Sequence, residues 1–143
     1  MFRNSGTLKE LGYRIMAGKI VWNQHRDKLT DNPREGILLI WTHNIRHGRL
    51  VLGNSKKKPP YIKWPIEKAD RGPAIVITRV TGYSKRAVLR AALVPPDTMF
   101  VAENHVNVFY PPPNAAIGEM KEIVRQPNSE RINRVIREIT VNT

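Results

Sequence analysis

The sequence predicts an α+β fold: a mainly antiparallel, curved sheet with two C-terminal helices. Three observations carry that expectation. Short apolar runs bounded by Pro, Gly and Asn recur through the first three quarters of the chain, as strands and their turns do. Ala74–Thr78 (AIVIT) and Val106–Tyr110 (VNVFY) are the clearest of these runs. Helical spacing appears only at the end, and strands first with helices last is the α+β order.

The elements follow in order. Residues 7–11 suit one helical turn, with Ser5 or Thr7 as its cap. Residues 13–16 and 19–22 read as two short strands around Ala17-Gly18. The stretch 23–36 is polar and contains Asp31-Asn32-Pro33, a loop signature. Residues 37–41 (ILLIW) are a continuous apolar run, the mark of a buried strand. A polar loop at 42–48 (THNIRHG), a short strand at 50–52 and a Lys-rich, Pro-terminated loop at 54–60 come next. Residues 61–64 (YIKW) read as an edge strand, because Pro65 has no N–H to give a ladder.

Ala74–Thr78 is the best central strand. Residues 87–94 (AVLRAALV) suit a helix by propensity, but Pro95-Pro96 and the flanking strands favour an extended segment. Ile117, Met120, Ile123 and Val124 recur at helical spacing. Pro127-Asn128-Ser129 then breaks the chain and caps a second helix with Ile132, Val135, Ile136 and Ile139 on one face.

A chain of 143 residues forms one domain, and at that size it buries roughly two thirds of its unfolded surface. Its hydrophobic content of 41%, with Trp22, Trp41 and Trp64 to fill a core, excludes a disordered class. With no cysteine it is neither a disulfide scaffold nor a cysteine-ligated zinc domain, and it suits a reducing, cytoplasmic (prokaryotic) setting. No segment approaches the roughly 18 continuous apolar residues of a membrane span, and the N-terminal residues lack the apolar core of a secretory signal.

Charge points to a polyanion. The net charge is +12, and residues 46–90 hold twelve cations against Glu67 and Asp70, which is +10 of the total. A localised surplus of this kind is the electrostatic footprint of a nucleic-acid binder; the alternative is a solvated basic surface that serves solubility. Phosphates are held by cations and small polar groups, whereas base edges are read by Arg at guanine and by Asn or Gln at adenine.

Candidates for both roles concentrate in four places. Asn44, Arg46 and His47 share one loop, and Lys56, Lys57 and Lys58 share another. Arg79, Thr81, Ser84, Lys85 and Arg86 follow the apolar strand Ala74–Thr78, and Asn104 and His105 precede the last strand. Arg79 has a competing role, pairing with Glu103 inside the fold. Asn44 as a turn residue and His43 as a core histidine are the structural alternatives.

These segments resemble the target-recognition domain of adenine-specific DNA methyltransferases, particularly those of type II restriction–modification systems. The likeness rests on residues 11–22 (LGYRIMAGKIVW), on the apolar strand and polar loop over 39–47, on the strand ending at Arg79, on Glu103-Asn104-His105 before a strand, and on two closing helices. It implies double-stranded DNA as partner and a catalytic domain in the same polypeptide. That domain transfers a methyl group from S-adenosylmethionine to N6 of a flipped adenine. The chain itself is then a fragment with no catalytic, cofactor or metal residues.

It departs from the family's catalytic half. There is no Gly-x-Gly turn, and Lys58-Pro59-Pro60-Tyr61 stands where the catalytic motif has Asn or Asp before Pro-Pro. Lysine donates hydrogen bonds and accepts none, so it cannot receive the adenine amino protons. The rival class is a free-standing RNA- or DNA-binding module, such as a ribosome-associated protein, which exposed aromatics would favour. A third class is a metal-dependent nuclease, from Pro96-Asp97 followed by Glu103-Asn104-His105. His43 and His47 have metal-site spacing without a third ligand.

Overall fold

Every side chain of Ala74–Thr78 is buried, so this strand is covered on both faces and lies inside a layered structure. The computed structural model describes residues 8–46, 48–53, 56–78 and 90–125. In chain order its strands are β1 (Arg14–Ala17), β2 (Leu29–Thr30), β3 (Ile37–Ile40), β4 (Tyr61–Ile62), β5 (Asp70–Arg71), β6 (Ala74–Thr78), β7 (Ala91–Val94), β8 (Met99–Ala102) and β9 (Val106–Tyr110), followed by α1 (Ile117–Arg125). They form two sheets. The first has the order β1-β9-β6-β7, the second β2-β4-β3-β8-β5.

The register decides which side chains meet. Val76 pairs with Ala92 on one side and Val108 on the other, and Ile77 pairs with Ala91 and Asn107. Alternation along the strands then sends Ala74, Val76, Val94 and Val108 toward Ile40, Phe100 and Ala102 of the second sheet. Ile75, Ile77 and Phe109 face the other way, against Met120, Ile123 and Val124 of α1 with Leu8 and Tyr13. The outer side of the second sheet, through Leu39, Ile62 and Val101, packs under Ile20, Trp22, Trp41 and Trp64. Phe100 and Phe109 are fully buried in two of these layers, and truncating either to Ala costs about 3–5 kcal/mol.

The α+β class stands, with corrections inside it. The single curved sheet expected from sequence is two facing sheets. The second is mixed, because β8 runs parallel to β3. Parallel partners are joined only by a long crossover, and no local pattern announces one. The helix over Ile117–Arg125 falls where its spacing puts it, with Glu119 in its first turn and Arg125 in its last. Both charges suit the helix dipole. The second expected helix lies outside the described residues, which contain one α-helix and not two.

Tyr61 and Ile62 are interior, paired on both sides by β2 and β3, and not an edge. Pro65 comes after the ladder ends and interrupts nothing. Residues 19–22 make no strand: Ile20 forms one bridge, to Glu103, and Trp22–Gln24 is a 3-10 turn. Only Leu50 of the expected strand at 50–52 is bridged, to Ile45. No helix among the described residues is long and apolar enough to cross a membrane.

Candidate nucleic-acid interface

Antiparallel pairing gathers distant parts of the sequence at one end of the sheets. Thr78, the last residue of β6, pairs with Val106, the first of β9. Its N–H donates to the Arg90 carbonyl at 3.0 Å, just before β7. Ala17 ends β1 at the same level, opposite Asn107. In the second sheet β3 and β8 finish together, and the Glu103 N–H donates to the Ile40 carbonyl at 3.0 Å. The chain passes from β8 to β9 through Asn104 and His105, so this turn crosses from one sheet to the other along the same rim.

The loop after β3 is a built hairpin tip. Ile45 is fully buried between the sheets and bridges Leu50. Inside that bridge the Arg46 N–H donates to the Arg49 carbonyl at 3.0 Å. Gly48 has φ of +83°, a conformation only glycine adopts cheaply, and its N–H donates to the Ala91 carbonyl at 2.9 Å. The tip is thereby fastened to the start of β7, and Arg46 and Arg49 are left exposed on it. Arg49 and Arg90 belong to the basic segment by sequence but not to the expected contact set; the strand ends place Arg90 at this rim, while Arg49 lines a cleft along β7 with Leu93, Pro95, Lys121 and Arg125.

The lysine loop is fastened from below. Trp41 is buried, and its indole N–H donates to the Pro59 carbonyl at 2.9 Å. The Leu39 N–H donates to the Pro60 carbonyl at 2.8 Å. Lys56, Lys57 and Lys58 are exposed above these anchors, and the Lys58 ammonium sits 5.7 Å from the Trp41 ring centroid. The two prolines thus spend their carbonyls inside the fold. A donor-only Lys58 ahead of two occupied carbonyls does not suit the adenine-binding role of a methyltransferase motif.

Asn44 turns inward. Its side-chain oxygen accepts the Trp41 N–H at 2.8 Å, its amide donates to the Val51 carbonyl at 3.0 Å, and it is 1% exposed. It organises the hairpin and does not present an amide to a partner, which corrects its place among the expected contacts. His43 stacks on Trp41 with ring centroids 6.0 Å apart. Burial first, and then the charges of Lys58 and Arg46, hold its pKa below the ordinary histidine value.

Asn104 and His105 are on the rim, half-exposed and exposed respectively. Glu103 is buried, and both of its carboxylate oxygens are engaged by His105: one accepts the backbone N–H at 2.9 Å, the other meets ring Nδ1. His105 is therefore a partner of Glu103; the Arg79 pairing offered by the sequence lies outside the described residues. His47, Arg79, Thr81, Ser84, Lys85 and Arg86 lie outside the described residues. The segment carrying the last five leaves the rim at Thr78 and returns to it at Arg90.

The nuclease reading loses its geometry. Asp97 is in the turn before β8 and Glu103 just after it, so the four-residue strand alone separates them by about 13 Å. Asp97 instead faces Arg71 at 3.9 Å. Among the described residues no three His, Cys, Asp or Glu side chains group as a metal site. Comparison with protein-family models, with curated proteins and with solved structures finds no match.

Proposed function

We propose that this chain binds duplex DNA sequence-specifically, as the target-recognition domain of an adenine-N6 DNA methyltransferase of a restriction–modification system. In this reading a separate catalytic domain of the same polypeptide holds S-adenosylmethionine and the flipped base. One observation carries the DNA-binding part: basic and polar segments far apart in sequence converge on a single rim, with their cations held out from buried anchors. Arg46 and Arg49 stand on a hairpin pinned by Ile45 and Gly48, and the lysine loop stands on Trp41.

The tryptophans favour a duplex over a single strand. Single-stranded binders stack bases on open aromatic faces. Here Trp41 is buried, Arg26 lies 4.9 Å from the Trp22 ring, and Lys28 lies 5.4 Å from the Trp64 ring. The methyltransferase assignment rests on the sequence resemblance.

The test is binding to a randomised duplex library and to single strands of the same sequences. A preferred duplex site should emerge, and Arg46→Ala should weaken that site by about 1–3 kcal/mol if Arg46 reads guanine. Nonspecific duplexes should lose much less. Equal binding to all duplexes, or a preference for single strands, overturns the reading.

A further inference from the structure

We propose that His105 reads an exocyclic amino group in the major groove, adenine N6 or cytosine N4, and that Glu103 is the positioning residue that fixes its ring nitrogens for that task. This rests on the duplex-DNA reading above and goes further, to one base contact and its chemical sense.

The inference starts from a buried carboxylate. Glu103 has a side chain only 4% exposed, at the corner where the two sheets join. Ile20 bridges it from one side, and Gly18 packs so closely that a Cβ there would overlap the Glu103 carbonyl. The Glu103 backbone is thus held in place. One of its oxygens accepts the His105 backbone N–H, a group that can only donate. The other meets His105 Nδ1. An ionised carboxylate only accepts, so the contact places a proton on Nδ1; in the neutral ring Nε2 then carries the lone pair, whereas a ring protonated at both nitrogens would donate from each.

The His105 side chain is 54% exposed. Arg46, Arg49 and the three lysines have no acceptor to offer, and of the described rim residues Asn104 alone adds an amide that both donates and accepts. The pairing of Thr78 with Val106 brings His105 beside the point where the chain leaves β6. In the major groove the base groups that donate are the amino groups of adenine and cytosine; guanine O6 and N7 and thymine O4 accept. A held acceptor among donors supplies the one sense of hydrogen bond that arginine and lysine cannot.

Glu103→Gln inverts this sense. The backbone N–H of His105 still requires an oxygen, so the Gln amide must turn its NH2 toward Nδ1. Nδ1 becomes the acceptor, and the proton moves to Nε2. Long-range 1H–15N spectra of the free protein read the tautomer directly, and selection from the randomised duplex library reads the consequence. Wild type should show the Nδ1–H tautomer and favour adenine or cytosine at one position by roughly three- to tenfold. The selected base distinguishes the two.

Glu103→Gln should show Nε2–H and move that one position toward guanine or thymine. His105→Ala removes the ring from a buried carboxylate, so its folding is checked by melting; the folded variant should lose the preference at that position alone. If Glu103→Gln carries Nε2–H and keeps the wild-type base, or if His105→Ala keeps the full preference, the inference is overturned. If wild type shows no duplex preference at all while its tautomer is Nδ1–H, the duplex reading fails and the base contact with it, and only the positioning of the ring survives.

Discussion

Two sets of cations in this protein are handled in opposite ways. Along the β5 flank and the turn at the far end, the cations have acids. Lys19 lies 3.3 Å from Asp70 and donates to the Lys68 carbonyl at 2.7 Å, while Arg71 lies 3.9 Å from Asp97. At the rim and the hairpin tip, Arg46, Arg49, Lys56 and Lys57 are exposed and make no ion pair among the described residues. Glu103, the acid at the rim's corner, is buried beneath His105. Exposed ion pairs contribute only about 0–1 kcal/mol each, so leaving Arg46, Arg49, Lys56 and Lys57 without acids costs the fold little. Sequence counting cannot see this division, because Arg71 of the flank lies in the same basic segment as the rim residues.

Charge reversal tests the division most strongly. Lys56, Lys57 and Lys58 changed together to Glu should weaken binding to every duplex. The slope of log K against log salt should flatten by roughly 0.9 for each phosphate that is no longer neutralised. Arg71→Glu on the flank should leave that slope unchanged. Equal effects from the two variants would erase the distinction between rim and flank.

A smaller effect is expected from two glycines, one at each end. A Cβ on Gly18 would overlap the Glu103 backbone, and one on Gly72 would overlap the Pro95 carbonyl. Each Ala variant should lose about 1–3 kcal/mol of stability, read from urea unfolding. Only Gly18→Ala should also change the base preference, because it displaces the turn bearing His105. Matched changes in preference would mean that the rim responds to strain anywhere in the fold.

The smallest effect concerns His43. Its folded pKa lies below the ordinary 6.5, chiefly through burial. Its contribution to stability is therefore present above pH 6.5 and is lost as pH falls through the lowered folded value, where protonation favours the unfolded chain. His43→Phe keeps a ring against Trp41 and removes the proton site. Melting temperature followed from pH 8 to pH 5 should fall less for this variant than for wild type. Parallel curves would show that the proton on His43 does not matter to the fold.

Legibility of the site differed from residue to residue. Arg46 and the three lysines could be picked out because exposed cations in Gly- and Pro-bounded loops have few structural uses. Asn44 had the residue type of an adenine reader, yet its amide completes a turn; residue type cannot tell an inward amide from an outward one. Arg49 and Arg90 sit in the basic segment without any local mark, and the contact of Glu103 with His105 has none either. A turn of two residues past a buried carboxylate brings His105 back onto it, a closure that depends on β8 and β9 belonging to different sheets.

By itself the sequence determined the strand at Ala74–Thr78, the strand at Val106–Tyr110, the helix at Ile117–Arg125 and the concentration of positive charge. These follow from side-chain periodicity and composition, which act over a few residues at a time. Only the tertiary structure decided that there are two sheets, that β8 lies parallel to β3, and that Arg46, Thr78, Arg90 and His105 share one rim. Strand pairing is a contest among all apolar runs in the chain. Its outcome is set by which faces can be buried together, and no window of sequence contains that information.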